Sequence, residues 1–226
     1  MKIEHIIFDL DNTLYSSTEN MDKGISRRML ECVKEFFNIS MEEAITLRHN
    51  NIQFFSTTLE WLRNSGMTDV EWFFKKVHPE NEADELSEDK NLRPFLESIK
   101  IPKIIHTNSP KEHAERVLDK LKIRDLFDHI CDIRECDFFG KPYPSAFEKA
   151  LSSCGGTISN TIFIDDMQKY TDGWKAIGGT GILVGTKNGR PLNPKANAVL
   201  KKAVNPPGKI LNIPDIYALK EILKTI

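Results

Sequence analysis

Apolar positions along the chain follow two rhythms. Near the N-terminus, Ile6-Ile7-Phe8 is a short continuous apolar run inside Ile3 to Phe8, bounded by charge. Such a run predicts a strand buried on both faces of a parallel sheet. Comparable runs recur at Lys103-Ile104-Ile105-His106, at His129 to Ile133, at Thr161-Ile162-Phe163-Ile164 and at Gly181-Ile182-Leu183-Val184. Between them, apolar residues step by three and four, the spacing of a helix face. Ala114, Val117, Leu118 and Leu121 share one face, with Ser109-Pro110 as a start signal. Ala146, Phe147, Ala150 and Leu151 share another within Pro144 to Ser153. Shorter helices are expected over Pro94 to Ile99 and Tyr217 to Leu223.

Residues 16–90 carry no strand signal. Ile25, Met29, Cys32, Val33, Phe36 and Phe37 predict a helix over Asp22 to Phe37. Ser40 or Asn38 is placed to cap the next helix, from Met41 to about Asn50. Phe54 to Leu62 and Val70 to Val77 are aromatic-rich helical segments. Phe54, Phe55, Trp61, Trp72, Phe73 and Phe74 read as the core of a helical insert, with the sharper alternative that one stacks on a base. The acidic stretch Pro79 to Asp89 reads as a solvated connector returning from the insert. Gly185 to about Lys209 reads as a long surface connection with a short helix near Ala196 to Lys202. The alternation predicts an α/β core over residues 1–15 and 91–226, a parallel sheet with helices on both faces. Residues 16–90 form an inserted α-helical cap. Linkers near Ser16 to Asn20 and Ala83 to Lys90 would let that cap close on the core.

Composition narrows the function. Among 226 residues, 31 Lys and Arg nearly cancel 33 Asp and Glu, so the basic excess of a nucleic-acid binder is missing. No apolar run approaches a membrane span. The start of the chain is too short in apolar residues and too charged for a signal peptide. Cys32, Cys131, Cys136 and Cys154 lack zinc or redox-pair spacing and read as reduced thiols of a cytoplasmic protein.

Candidate chemistry gathers at strand ends. Asp9 and Asp11 follow the first strand, Thr107-Asn108-Ser109 the second, and Asp165-Asp166 a later one; Gly140-Lys141-Pro142 precedes a helix. In a parallel sheet these converge on one edge, where ligands bind. Carboxylates facing a phosphate dianion make sense only with a divalent cation, and Mg²⁺ prefers hard oxygen ligands. One carboxylate can then attack phosphorus. A neighbour can protonate the leaving alkoxide and later deprotonate water. A lysine and a helix start complete a phosphate cradle.

Together these motifs resemble the haloacid dehalogenase superfamily of phosphotransferases. Phe8-Asp9-Leu10-Asp11-Asn12-Thr13 is similar to its DxDxT motif, and His106-Thr107-Asn108-Ser109 to its second. Gly140-Lys141-Pro142-Tyr143-Pro144 is similar to the third, and Phe163-Ile164-Asp165-Asp166 to the fourth. The helical insert resembles the C1 cap. The resemblance implies a Rossmann-like core, Asp9 as nucleophile and Mg²⁺ ligand, and Asp11 as general acid/base with its carbonyl on the metal. It implies that Thr13 fixes the loop, that Thr107, Asn108 and Lys141 hold phosphate, and that Asp165 and Asp166 complete the metal site. Where many relatives carry Asn-Asp after the fourth motif, this chain has Lys169-Tyr170. Asp172 or Gln168 is placed to substitute.

Within the superfamily, Thr107-Asn108, His113-Ala114, Arg116, Leu118 and Asp125-Leu126-Phe127-Asp128 resemble the pyrimidine 5'-nucleotidase branch, as do Thr57-Thr58-Leu59 and Val77-His78. The cap glycines of that branch are replaced by Ser56 and Trp61. His113 itself reads as a helix-surface or packing residue. The expected function is Mg²⁺-dependent hydrolysis of a small phosphorylated metabolite, such as a nucleoside 5'-monophosphate, through an aspartyl phosphate. Rivals are a sugar-phosphate phosphatase, a phosphomutase, a dehalogenase and a catalytically retired binding protein. No nucleic-acid polymer or membrane is expected as a partner.

Overall fold

The computed structural model describes residues 2–16, 19–187, 190–191 and 208–226. Its centre is a six-stranded sheet in the order β3-β2-β1-β4-β5-β8, with every neighbouring pair parallel. The strands are β1 (His5–Phe8), β2 (Lys103–His106), β3 (Ile130–Cys131), β4 (Thr161–Asp165), β5 (Thr180–Val184) and β8 (Lys209–Ile213). Thr186–Lys187 (β6) and Arg190–Pro191 (β7) form a small antiparallel pair. This is a Rossmann-like α/β fold.

Alternation of side chains across β1 builds two cores. Ile6 and Phe8 pack with Leu96, Ala114, Val117 and Leu118 on one face. Ile7 packs with Ile104, Phe147, Phe163 and Trp174 on the other. Both faces are therefore covered, as continuous apolar strands require. The covering helices include α5 (Leu92–Ser98), α6 (Lys111–Lys120), α7 (Pro144–Cys154) and α8 (Gln168–Ala176); α9 (Leu219–Leu223) ends the chain.

Between β1 and β2 lie α1 (Glu19–Phe37), α2 (Met41–Asn51), α3 (Thr58–Asn64) and α4 (Val70–Val77). Ser40 starts α2 with a capping box: its hydroxyl accepts from the Glu43 amide while the Glu43 carboxylate accepts from the Ser40 amide. The helices share a core of Cys32, Val33, Leu62, Phe73, Phe74 and Val77, with Trp61 stacked on Phe37 at 5.5 Å. Phe54 departs from the expected core and is 59% exposed, because it lies in a 3-10 turn outside α3.

Other expectations need correction. α8 was not expected: its sequence is mostly polar, and only Thr171, Gly173 and Trp174 are buried. β8 was not expected either, since an edge strand needs little apolar surface. The acidic connector is not simply solvated, for Glu82, Ala83 and Leu86 are buried. The expected helix near Ala196 to Lys202 lies outside the described residues. All four cysteines are free thiols. Among the described residues no helix is long and apolar enough to cross a membrane.

Candidate active site

The sheet order places the site. From β1 the chain first builds β2 and β3 on one side, then crosses to β4 and β5 on the other. Ligand crevices open at such a switch, beyond the carboxyl ends of the strands. Phe8 is in register with Ile164, and the Asp9 amide donates to the Ile164 carbonyl at 2.8 Å. Asp9 and Asp165 are thus neighbours because β1 and β4 end level. Thr107 follows β2 at the same edge, and Asn12, at φ 61°, turns the loop after β1 in the left-handed region.

Lys141 ties this edge together. It is fully buried, and its Nζ donates to Asp9 Oδ1 at 2.6 Å and Asp165 Oδ2 at 2.7 Å. Thr13 Oγ1 donates to the other Asp9 oxygen at 2.8 Å. The Met167 amide donates to Asp165 Oδ1 at 2.8 Å. Asn108 positions the Lys141 backbone: its Oδ1 accepts from the Lys141 amide at 2.8 Å and its Nδ2 donates to the Lys141 carbonyl at 3.0 Å. Gly140 permits this approach, since a Cβ there would collide with the Asn108 side chain. Thr107 Oγ1 accepts from the Ser109 amide at 3.0 Å.

Charge is unevenly balanced here. Burial pushes Asp9 and Asp165 above the ordinary carboxylate range, and Lys141 only partly offsets it. Oxygens of Asp9, Asp165 and Asp166 lie within 4.8 Å of one another. A hard-oxygen donor set with too little positive charge is what a divalent cation fits. Lys169 and Tyr170 do not join that set. Lys169 Nζ reaches the Ser56 carbonyl at 3.3 Å. The Tyr170 hydroxyl accepts from Asn108 at 3.1 Å, and its ring lies 5.0 Å from Lys141 Nζ.

Asp11 stands apart in a second network that its sequence neighbours did not disclose. His113 Nε2 lies 2.9 and 3.1 Å from its two oxygens, and the Tyr15 hydroxyl donates to it at 2.5 Å. His113 Nδ1 meets Glu82 Oε1 at 2.6 Å. Glu82 also meets His78 at 3.1 Å, Arg116 at 3.2 Å and Arg28 at 3.4 Å. His113 is therefore a buried charge partner and not a surface or packing residue. Burial alone would lower its pKa, but Asp11 and Glu82 raise it to about 10. Burial would raise Asp11, yet the His113 charge outweighs it and holds Asp11 below its ordinary value. His78 and Glu82 both lie beyond the end of α4, so no helical spacing announced their pairing.

A cavity of about 500 Å³ adjoins the strand ends, lined by Met29, Arg48, Phe73 and Phe74 from the helical block and by Asn108, Lys169 and Tyr170 from the sheet side.

Comparisons with known proteins agree with this architecture. Phosphate metabolism protein 8 of Saccharomyces cerevisiae is 30% identical over 174 residues, covering 70% of this chain and 54% of that protein. The chain thus spans about half the length of that curated relative. A HAD phosphatase from Thermococcus onnurineus superposes with a TM-score of 0.61 at 20% identity, covering 99% of this chain and 98% of that one. The L-2-haloacid dehalogenase of Xanthobacter autotrophicus superposes with a TM-score of 0.61 at 15% identity, covering 99% of each chain. At such identities these structures speak for the fold alone. The family model of haloacid dehalogenase-like hydrolases matches residues 3–169, the stretch that holds every strand-end residue described above, and the chain belongs to that family.

Proposed function

We propose that the chain is a Mg²⁺-dependent phosphatase of small phosphomonoesters, working through an aspartyl phosphate on Asp9. One observation carries this reading. Asp9 is fixed by the Thr13 hydroxyl and the Lys141 ammonium, while Asp11, two residues on, sits in a separate environment. Two carboxylates in distinct surroundings suit two distinct tasks. An Asp9 oxygen attacks phosphorus, and the bond to the leaving oxygen breaks. Asp11 is ionised while His113 clamps it, so it takes up a proton from solvent on leaving that clamp and gives this proton to the leaving oxygen. Water then attacks phosphorus, Asp11 takes its proton, and phosphate leaves with Asp9 regenerated. Asp11 must leave its clamp on His113 and Tyr15 to reach the leaving oxygen. Thr107, the Asn108 backbone and Lys141 hold the phosphate.

Asp9, Asp165, Asp166 and the Asp11 carbonyl would hold Mg²⁺. When bound, it neutralises charge on phosphate and carboxylates. The helical block acts as a C1-type cap over the cavity and excludes water on closing. The resemblance to pyrimidine 5'-nucleotidases, with Phe73, Phe74 and Tyr170 on the wall, supports nucleoside 5'-monophosphates as substrates. The proposed setting is the cytoplasm, with a small metabolite as partner and neither membrane nor nucleic-acid polymer. A phosphomutase would use the same residues and would yield an isomerised sugar phosphate. A dehalogenase has no need of a proton donor for its halide, which disfavours it.

The test is phosphate release from a panel of nucleoside and sugar monophosphates, with Mg²⁺ or EDTA. Asp9→Asn should abolish turnover. Turnover by that variant would remove the nucleophile assignment, and activity indifferent to EDTA would remove the metal.

A further inference from the structure

The cavity wall holds two cations that, among the described residues, no carboxylate neutralises. Arg48 on α2 donates from Nε to Thr58 Oγ1 at 3.0 Å and from one terminal nitrogen to Met29 Sδ at 3.7 Å. Lys169 on α8 touches the Ser56 carbonyl at 3.3 Å and lies 4.6 Å over the Tyr170 ring. Among the described residues neither forms an ion pair. The Glu60 carboxylate is engaged instead by the Ser56 amide at 2.6 Å and the Tyr143 hydroxyl at 2.7 Å. The same wall carries Ser56, whose buried hydroxyl has no hydrogen-bond partner among the described residues.

A partly buried guanidinium without a carboxylate is unfavourable unless something else supplies the charge. Burial alone pushes Arg48 below its ordinary value, with nothing offsetting it. Phosphate at the strand ends is already served by Lys141, Thr107 and Asn108. The charge at Arg48 and Lys169 is left for another part of the substrate.

We propose that Arg48 and Lys169 form a second anion subsite, so that the preferred phosphomonoester carries a further carboxylate or phosphate on its leaving group. The proposal rests on the phosphatase reading and narrows its substrate class. Arg48 approaches from the helical block and Lys169 from the sheet side, so one oxyanion between them would bridge the two. An arginine fork suits the two oxygens of a carboxylate or phosphate.

The experiment uses matched pairs: orotidine against uridine 5'-monophosphate, 3-phosphoglycerate against glycerol 3-phosphate, and glucose 1,6-bisphosphate against glucose 6-phosphate. The first two pairs isolate a carboxylate and the third a phosphate. In at least one pair the leaving group with the extra anion should be preferred in kcat/KM by roughly ten- to hundredfold, the range of a hydrogen-bonded charge pair. Arg48→Met and Lys169→Met should each shrink that ratio, chiefly through KM, and Arg48→Lys should restore part of it. Lys169→Met guards against misfolding at Arg48. Equal rates within every pair would overturn the subsite, as would a preference that both Met variants keep. Calorimetric binding of the same pairs to Asp9→Asn separates the two readings. A binding preference without phosphate release from any compound would sink the phosphatase reading alone.

Discussion

Glu82→Gln tests the buried network around Asp11. The side chain of Glu82 is 1% exposed and faces His113, His78, Arg116 and Arg28. The substitution keeps the shape and removes the charge. Deleting one partner of a buried ion pair costs about 3–5 kcal/mol. In a chain of this length that lowers Tm by roughly 6–20 °C. The pH dependence is more diagnostic. His113 is raised to about 10 from an ordinary 6.5, so its stabilisation is complete below pH 6.5 and is lost as pH climbs through 10. At 1.36 kcal/mol per unit, the loss across that window is roughly 5 kcal/mol, shared between Asp11 and Glu82. Glu82 and Asp11 are both held low, so their contribution fades at the opposite end, as pH falls below the ordinary carboxylate range. Urea unfolding between pH 6 and 10 should show the wild-type chain weakening steeply on the alkaline side. Glu82→Gln should begin weaker and decline about half as far. A variant that parallels the wild-type alkaline slope, or loses less than about 1 kcal/mol at pH 6, would refute the charge assignment.

Two further predictions concern the residues at the strand ends. Lys141→Met should lower kcat by about 10²–10³, the effect of removing a group that stabilises developing charge. With EDTA it should also melt well below wild type, and added Mg²⁺ should recover part of the difference; equal melting under both conditions would contradict the fit of a cation among these carboxylates. Gly140→Ala should break the Asn108–Lys141 backbone pairing, since its Cβ would also sit 2.8 Å from Ile133 Cδ1. A cost of about 1–3 kcal/mol is expected from such overpacking. Unfolding curves superimposable on wild type would show that Asn108 can move aside.

The sheet was legible because β1, β2, β4 and β5 are nearly continuous apolar runs, which a strand covered on both faces requires. α8 lacks such a pattern: its fit depends on Gly173 lying against Pro142, a contact no local period encodes. The strand-end residues were legible for a topological reason, as parallel strands carry their final residues to one edge. Glu82 and His113 were not. They lie 31 positions apart, and Glu82 sits in a run whose neighbours Asn81, Asp84 and Glu85 are exposed. Only the packing of the returning chain against α6 distinguishes the buried acid from the solvated ones.

The place of β1 in the sheet has a consequence for the order in which the molecule is built. Its partners are Lys103 to Ile105 on one side and Thr161 to Ile164 on the other. On a ribosome, the N-terminal strand therefore emerges long before either partner exists. Helices α1 to α4 contact mainly one another and can organise while it waits, since local contacts form fastest. Asp9 gains its environment only after Asp165 has been synthesised. Nascent chains arrested before that residue should protect the amides of α1 to α4 while leaving those of β1 open to hydrogen exchange. Early protection of β1 would rule this sequence of events out. A chain cut short anywhere before β4 thus carries Asp9, the proposed nucleophile, without Asp165 beside it.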